Sequence, residues 1–355
     1  MRMGNQVIIC EDISRELSRF LAEGDFDKVF ILTDTNTYRL CFPVIQSLPV
    51  IATATSIVIK AGDVNKNVEQ LTAVWTSLSN GGASRSSILI NLGGGMVTDL
   101  GGFAGASFKR GIHTLNIPTT LMASVDAAVG GKTGINFNGL KNEIGAFYIP
   151  DCVLIDCIFL QTLDHDNLLS GFAEMIKHGL INAESTLDRL LSYELDTKEL
   201  NTDLLNLLVK ESVAIKEHIV AEDPKENGIR KALNLGHTIG HALESFSFEQ
   251  QRPVLHGHAI AAGLVAELYL SHQCCGFPLE TLRRTVNFIK TFYPPFLFEC
   301  DDYETLYALM THDKKNKGGI INFTLLAQPG DIRIDQHIAK EKIFESLDFY
   351  RETCL

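Results

Sequence analysis

Three histidines and one glutamate between residues 174 and 256 have side chains that could hold a metal ion: Glu174, His237, His241 and His256. Two neutral imidazoles and one carboxylate, here His237, His256 and Glu174, make a standard catalytic zinc site with one position open for substrate. His237 and His241 lie four residues apart on one helical face, but Thr238 stands where a zinc protease needs glutamate. On residue type alone, a lone histidine on an apolar helix is more often a hydrogen-bonded structural residue than a ligand.

A short apolar run that ends in three glycines, from Ile88 to Gly95, is the second pattern that could do chemistry. A strand that leads into a phosphate-binding turn has this form, because glycine lets backbone N–H groups approach a pyrophosphate. The three glycines match neither G-x-G-x-x-G nor a P-loop. A turn that serves only tight packing is therefore the alternative interpretation.

Cationic residues are the third group, and several of them lie in unusual surroundings. Lys132 follows two glycines and Lys177 lies in an apolar block, where a solvated charge is less expected. If such side chains converged, they could bind a substrate with both phosphate and carboxylate groups, but spacing does not show convergence. The candidates are Arg110, Lys132, Lys141, Lys177, Lys216, Arg230 and Lys314.

The elements that must position these residues divide the chain in two. Asn138-Gly139 predicts a hairpin turn between Lys132 and Lys141, and after residue 163 helical apolar spacing dominates, with a late hairpin around 320–326. We therefore predict an α/β plus all-α protein: a Rossmann-like parallel-sheet nucleotide domain at 1–162, then a mainly helical metal- and substrate-binding domain at 163–355. Strands are predicted at 28–33, which should be buried, and at 56–60, 88–91, 114–117 and 152–156.

Composition restricts the partners and the location. The 355 residues carry a formal net charge of −12, which argues against binding to nucleic acid or to anionic membranes. The eight cysteines show no C-x-x-C spacing and lie mostly in apolar runs, which favours reduced thiols. The chain has no signal-peptide core and no stretch that approaches a membrane span. We expect a cytoplasmic protein that acts on a small molecule.

Five sequence blocks resemble the 3-dehydroquinate synthase family of sugar-phosphate cyclases, in the same order and over nearly the whole chain. The resemblance implies a carbon–oxygen lyase of the shikimate pathway (EC 4.2.3.4), which converts 3-deoxy-D-arabino-heptulosonate 7-phosphate to 3-dehydroquinate and phosphate. Transient oxidation by NAD, phosphate elimination, hydride return and an intramolecular aldol closure make up that reaction. The resemblance also implies NAD, Zn²⁺ or Co²⁺, and a homodimer. The blocks are GGGMVTDLGGF at 93–103, IPTTLMASVDAAVGGKTGIN at 117–136, KNEIGAFY at 141–148, GFAEMIKHGLI at 171–181 and LNLGHTIGHALE at 233–244.

The family motifs also imply residue roles, although for Asp34 a helix N-cap is an equally good interpretation. Metal ligands are implied at Glu174, His237 and His256. Catalytic roles are implied for His241, Glu226, Lys132, Asn142 and Lys177. Substrate-binding positions are Arg110, Asp126, Lys132, Asn142, Lys177, Lys216, Arg230, Asn234, His241 and Lys314. Cofactor-binding positions are Asp34, Asn36, Asp63, Lys66, Gly94, Gly95, Met96, Asp99, Thr119, Thr120, Lys132, Lys141 and Thr162.

The chain departs from the family pattern at a few positions. His258 stands where the family usually has glutamate, and we predict that it is not a ligand, because residues two apart point away from each other on a helix. It could still alter the surroundings of the ligands. Asp63 replaces a glutamate, and its shorter carboxylate could still accept from a ribose hydroxyl after a small shift. The motif does not decide between Lys314 and Lys315.

Two other functional classes remain open at this point. Another sugar-phosphate cyclase or a metal-dependent polyol dehydrogenase would share the nucleotide domain and the helical domain, but a dehydrogenase has no need for the cations at Lys141, Arg230 and Lys314. A nucleotide-binding homologue without catalysis is the third interpretation. The presence of all three implied ligands and His241 argues against it.

Overall fold

The computed structural model describes residues 6–138, 140–195, 201–311 and 320–354. The chain divides into two compact units, Met1–Asp164 with Leu200–Val213 and His165–Glu199 with Ala214–Leu355. The first unit contains the parallel sheet and the second is mainly helical. A functional boundary between residues 162 and 163 stays a prediction.

Strands and helices alternate through the first unit, as the sequence predicts. All five predicted strands are present, and a short strand at Gln6–Ile9 adds a sixth that the sequence analysis missed. The elements are β1 (Gln6–Ile9), α1 (Ile13–Glu23), β2 (Val29–Asp34), α2 (Thr35–Leu40), α3 (Phe42–Ile45), α4 (Pro49–Ala52), β3 (Thr55–Ile59), α5 (Val68–Asn80), β4 (Ile88–Gly93), α6 (Gly95–Ser107), β5 (His113–Pro118), β6 (Lys132–Phe137), β7 (Leu140–Phe147) and β8 (Cys152–Ile155).

Six of these strands form one parallel sheet in the order β1-β8-β5-β4-β2-β3. Every residue of β4 is buried. Ile88 and Ile90 pack into one apolar cluster and Leu89 into another, so both faces of this strand are covered. Cover on both faces explains why the strand is apolar except for Asn91 and does not alternate with polar residues.

The strand order changes direction between β2 and β4, and this change locates a ligand crevice. The chain passes from β2 outward to β3, then returns to β4 and continues to the other side through β5 and β8. Ligands of open α/β sheets bind at such a switch point, outside the carboxyl ends of the strands. Asp34 ends β2 and Gly93 ends β4, so both border this crevice.

A separate two-stranded ribbon, β6 with β7, confirms the predicted hairpin between Lys132 and Lys141. Asn138 has φ 49°, the left-handed conformation that such turns need, while Gly139 lies outside the described residues. The strands meet closely at Gly145, where an added Cβ would lie 2.1 Å from the carbonyl oxygen of Thr133. Glycine is required there.

Helices dominate the second unit, together with the predicted late hairpin, and α9 begins in the segment that groups with the first unit. Residues 168–181 of α7 are all buried, so the polar side chains of this stretch are shielded from bulk water. Among the described residues no helix has the length and hydropathy of a membrane span, and all eight cysteines are free thiols. The elements are α7 (His165–Asn182), α8 (Glu184–Leu191), α9 (Thr202–Glu222), α10 (His237–Glu249), α11 (His256–Cys275), α12 (Leu279–Phe292), α13 (Tyr303–Thr311), β9 (Asn322–Gln328), β10 (Asp331–His337) and α14 (Lys340–Cys354).

Candidate metal centre and nucleotide site

Three helices of the second unit bring the predicted metal ligands together. Oε1 of Glu174, on α7, lies 3.5 Å from Nε2 of His237, the first residue of α10. The same oxygen lies 3.7 Å from Nε2 of His256, the first residue of α11. One carboxylate oxygen and two ring nitrogens therefore face a common point, which is the donor set that zinc takes in catalytic sites.

The far sides of both imidazoles are fixed by hydrogen bonds. Nδ1 of His237 donates to the carbonyl oxygen of Leu235 at 3.1 Å, and Nδ1 of His256 donates to Oε2 of Glu244 at 3.1 Å. A donor hydrogen bond at Nδ1 leaves Nε2 with a lone pair, and metal-binding histidines are usually held in this way. Burial lowers the pKa of His256, but the carboxylates of Glu244 and Glu174 outweigh it and raise that pKa to about 10, so the metal-free ring carries a proton on Nε2 that a bound cation displaces. The surroundings favour positive charge, so these residues fit a divalent cation.

His241 lies next to this donor set, one helical turn after His237. Its ring centroid is 5.1 Å from that of His237 and 5.7 Å from that of His256. Ring nitrogens of all three histidines lie within 4.8 Å of one another, so an ion could also reach the third imidazole. The assignment of Glu174, not His241, as the third ligand stays a prediction.

Close packing between α10 and α11 sets the distance between two of the proposed ligands. A Cβ added at Gly263 would lie 2.1 Å from the carbonyl oxygen of Gly236 and 2.6 Å from the backbone nitrogen of Gly240. Only glycine permits two helix backbones to approach so closely. The sequence blocks contain Gly236 and Gly240, but their partner Gly263 could not be inferred without the helix pairing.

A buried carboxylate on α11 also fixes the start of α10. Glu267 accepts hydrogen bonds from the backbone N–H groups of Gly236, at 2.7 Å, and Ile239, at 2.9 Å. These residues flank His237, and α10 has no cap from its own N-cap residue, Gly236. Negative charge is favourable at a helix N-terminus. The sequence analysis missed Glu267 because nothing local in α11 distinguishes it.

Gly263→Ala tests how far this packing controls the metal centre. The added methyl group must push α10 and α11 apart, so we expect a loss of roughly 1–3 kcal/mol in stability and weaker zinc binding. Thermal unfolding and zinc titration against a chelator measure both. Gly276→Ala is the matched control. Gly276 follows the same helix with φ 81°, and a Cβ added there would meet no other atom within 4 Å. The variant should therefore lose stability through backbone strain and keep its zinc affinity. Parental zinc affinity in Gly263→Ala would contradict the prediction.

Buried cations of the second unit accompany the metal ligands. Nζ of Lys177 forms an ion pair with Oε2 of Glu174, the oxygen that does not face His237. Lys177, Lys216 and Arg230 expose 1%, 5% and 2% of their surface. Lysine and arginine usually lie at the surface, and burying a cation is costly unless an anion compensates it, so these three positions are unusual. Lys314 and Lys315 lie outside the described residues.

Three further predicted site residues lie in the segment between α9 and α10. Nδ2 of Asn234 donates to Oε1 of Glu226 at 3.1 Å. Nη1 of Arg230 donates to the carbonyl oxygen of Pro224 at 2.7 Å. Glu226 has φ 60°, a left-handed conformation that is uncommon for glutamate. The structure therefore joins Glu226, Arg230 and Asn234 in one turn-rich segment.

In the first unit, the glycine turn leads into a helix that no side chain caps. Gly94 is the N-cap of α6 and Gly95 its first residue, so backbone N–H groups at the helix start point toward the crevice at the end of β4. A helix N-terminus in this position is suited to a pyrophosphate. A Cβ at Gly94 would lie 3.0 Å from the side chain of Thr120, another predicted cofactor residue.

Four predicted cofactor residues form one ionic network in the same unit. Nζ of Lys66 lies 3.1 Å from Asp99 Oδ2 and 3.5 Å from Asp63 Oδ1, and Nζ of Lys141 lies 3.4 Å from Asp63 Oδ2. Burial raises the pKa of Asp63, but Lys66 and Lys141 outweigh it, so the net shift is downward. The shorter carboxylate at position 63 thus still reaches both lysines. Asn136, which the sequence analysis left without a role, donates to Oδ2 of Asp63 at 3.2 Å.

Lys66→Ala should weaken NAD binding by roughly tenfold or more, because a hydrogen bond from a charged group contributes about 1.5–3 kcal/mol. Binding of the phosphorylated substrate should change less. Titration of each ligand by calorimetry measures both effects. Lys60→Ala, which removes an exposed lysine in the same unit, is the control and should leave NAD binding unchanged. If Lys66→Ala lost affinity for NAD and for the phosphorylated substrate to the same extent, the cofactor assignment of Lys66 would be refuted.

The remaining predicted residues are more dispersed within the first unit. Asp34 is the N-cap of α2, with its side chain accepting from the backbone N–H groups of Asn36 and Thr37, so the N-cap interpretation is confirmed. Thr162 lies 3.8 Å from the thiol of Cys41. Arg110 is exposed beyond the far end of α6, about 20 Å along the helix from Gly95, so this unit does not bring it to the glycine turn. The other positions are Met96 in α6, Thr119 after β5, Asp126 in the π-helical turn Ala123–Ala127, Lys132 at the start of β6 and Asn142 in β7.

Comparisons with known proteins agree over most of the chain. The sequence profile described as 3-dehydroquinate synthase N-terminal matches residues 56–170, and the one described as 3-dehydroquinate synthase C-terminal matches residues 171–316. The 3-dehydroquinate synthase of Parabacteroides distasonis is 64% identical over 348 residues, covering 98% of each chain. The 3-dehydroquinate synthase of Pyrococcus furiosus is 37% identical over 323 residues, covering 90% of this chain and 92% of its own.

Solved structures share the fold at low sequence identity. The structure of 2-epi-5-epi-valiolone synthase from Streptomyces hygroscopicus, with NAD⁺ and Zn²⁺ bound, matches with a TM-score of 0.88 at 21% identity and covers 98% of this chain and 97% of its own. A glycerol dehydrogenase from Schizosaccharomyces pombe matches with a TM-score of 0.67 at 12% identity, covering 98% and 90%. These likenesses establish the architecture and leave the chemistry to the residues of the site.

Proposed function

The chain belongs to the 3-dehydroquinate synthase family, and we propose that it converts 3-deoxy-D-arabino-heptulosonate 7-phosphate to 3-dehydroquinate and phosphate, using NAD and a divalent metal, Zn²⁺ or Co²⁺. The observation that carries the proposal is the approach of Glu174 Oε1 to Nε2 of both His237 and His256. The same unit buries three cations, which suits a substrate with two anionic groups.

The three proposed ligands and the residues next to them have distinct roles at the metal centre. When bound, the metal would supply Lewis-acid polarisation of the substrate hydroxyl, and NAD would supply reversible hydride exchange with the carbon that bears this hydroxyl. Glu174, His237 and His256 would hold the ion, while Lys177 pairs with the second oxygen of Glu174 and keeps that carboxylate oriented. The imidazole of His241 and the carboxylate of Glu226 move protons to and from the substrate.

Cationic and amide side chains orient the substrate. In the second unit we assign this role to Lys177, Lys216 and Arg230, which are buried, and to the half-buried Asn234. A buried cation is stabilised by a bound phosphate or carboxylate. Further substrate assignments, carried by the family motifs, are Arg110, Asp126, Lys132, Asn142, His241 and Lys314.

The nucleotide binds in the first unit, with its pyrophosphate at the start of α6. Gly94 and Gly95 offer backbone N–H groups there, and the carboxyl end of β2 supplies Asp34 and Asn36. Asp63 and Lys66 hold the ribose side through their ionic network. Met96, Asp99, Thr119, Thr120, Lys132, Lys141 and Thr162 complete the proposed cofactor set.

One assay tests this proposal. Purified protein with NAD and zinc should release orthophosphate and form 3-dehydroquinate in equal amounts, without NADH accumulating in proportion to product. Phosphate release without that carbocycle would indicate a different sugar-phosphate cyclase. Turnover of a non-phosphorylated polyol with stoichiometric NADH would indicate a dehydrogenase.

We also propose a homodimer in the cytoplasm. The family resemblance supports the dimer, and eight free thiols together with a net charge of −12 support a reducing compartment away from anionic membranes. Light scattering at assay concentrations should give twice the mass of one chain. A monomer under those conditions would remove the dimer from the proposal.

A further inference from the structure

One carboxylate organises the segment that connects α9 to α10. Oδ2 of Asp223 accepts hydrogen bonds from the backbone N–H of Gly228, at 2.7 Å, and of Arg230, at 3.2 Å. Its Oδ1 accepts from the backbone N–H of Asn227 at 3.1 Å. Three backbone N–H groups within residues 227–230 are thus tied to one side chain. The segment also contains the short 3₁₀-helix Ile229–Asn234, whose N-cap residue Gly228 has no capping side chain, and the carboxylate of Asp223 accepts from the start of this helix.

The same turn presents groups that the proposed function uses. The backbone N–H of Glu226 lies 3.4 Å from the carbonyl oxygen of Asp223, and Oε1 of Glu226 accepts from Asn234 at 3.1 Å. Arg230 is 2% exposed, and its backbone nitrogen is one of the three donors to Asp223. The guanidinium of Arg230 also donates a hydrogen bond to the carbonyl oxygen of Pro224, which lies in the same turn.

The backbone of this turn cannot hold its shape by local preference alone. Glu226 has φ 60°, and Gly228 has φ −141° with ψ −114°, both outside the regions that helices and strands use. Residues in such conformations persist only where surrounding contacts impose them. Hydrogen bonds from Gly228, Asn227 and Arg230 lower the pKa of Asp223, so the carboxylate is an ionised acceptor at neutral pH.

We propose that Asp223 is a positioning residue for substrate binding: its carboxylate shapes the 223–230 turn and so fixes where Glu226 and Arg230 meet the substrate. The inference rests on the proposed roles of Glu226 and Arg230. Asp223 itself acts through the turn and needs no contact with substrate. An aspartate that only terminates α9 would affect folding and leave substrate affinity unchanged.

Two variants of Asp223 grade the effect. Asp223→Ala removes all three acceptor bonds, whereas Asp223→Asn keeps one carbonyl oxygen that Gly228 and Arg230 can share. Asp12→Ala is the matched control: Asp12 is exposed and accepts from two backbone N–H groups at the start of α1, in the other unit. For each variant we would measure kcat and KM for the phosphorylated substrate, NAD affinity, zinc content and thermal unfolding. Hydrogen exchange would report the amides of Asn227, Gly228 and Arg230 directly.

We expect Asp223→Ala to lower kcat/KM at least tenfold, mainly through KM, with faster amide exchange at 227–230 and with parental zinc content and NAD affinity. Asp223→Asn should fall between this variant and the parent, and Asp12→Ala should match the parent. The inference would be overturned if both Asp223→Asn and Asp223→Ala kept the parental KM. If Asp223→Ala does not fold, a parental KM in Asp223→Asn would be enough to overturn it. A fall in activity that follows zinc loss would overturn it as well.

Arg230→Ala separates this inference from the proposed function. If Arg230→Ala loses substrate affinity and Asp223→Ala does not, the positioning role fails while the substrate site stands. If Arg230→Ala keeps parental KM, the proposed role of Arg230 fails, and the inference fails with it.

Discussion

His256→Ala should empty the metal centre and abolish turnover. His256 supplies one of two ring nitrogens that face Glu174 Oε1, and the ring is held for this purpose by Glu244. Removal of a group that only orients a ligand already costs roughly 10- to 100-fold in metal affinity or activity, and loss of the ligand itself should cost more. Zinc content after dialysis and kcat measured on the same sample test both parts. We expect zinc close to zero and no measurable phosphate release.

His258→Ala is the control, because it removes an imidazole only two residues away. Nε2 of His258 donates to the carbonyl oxygen of Asp166 at 3.2 Å, and its ring packs edge-on against Tyr293. The side chain is thus occupied with the start of α7 and the end of α12. We expect His258→Ala to keep zinc near the parental amount. If His258→Ala empties the site and His256→Ala does not, the ligand assignment in this segment is wrong.

His241→Ala should keep the metal and lose turnover. His241 lies beside His237 and His256, yet the proposed ligand set is complete without it. A positioned general acid or base contributes typically 10²- to 10⁴-fold to the rate, so kcat should fall by about that factor while zinc content stays parental. Single-turnover measurements of phosphate release and metal analysis on the same protein would separate the two effects.

The control for His241→Ala is an imidazole away from the metal centre. His337 is exposed at the end of β10 and pairs with Asn322, so His337→Ala should retain parental kcat and zinc. Loss of zinc in His241→Ala would show that the third imidazole is a ligand, as the mutual reach of the three ring nitrogens also permits. Proton transfer would then need another residue.

The fold was largely predictable because its signals are local. Apolar runs such as Ile88 to Asn91 give buried strands, Asn138-Gly139 gives a hairpin, and the change of hydrophobic period after residue 163 gives a helical unit. The strand Gln6–Ile9 was missed because four residues carry too little pattern. The strand order β1-β8-β5-β4-β2-β3 was also beyond the sequence, since it depends on which strands pair across long separations.

The sequence by itself determined the chemical inventory of this protein: a glycine turn, a metal-ligand set, a group of cations, and the family to which these belong. Only the tertiary structure decided which other residues position these groups. Four contacts join residues from different elements: Glu244 with His256, Glu267 with the start of α10, Gly263 with Gly236, and Asp63 with Lys141. The physical reason is that burial, hydrogen bonding and ionic pairing depend on distance in space, which residue type and spacing along one element do not specify.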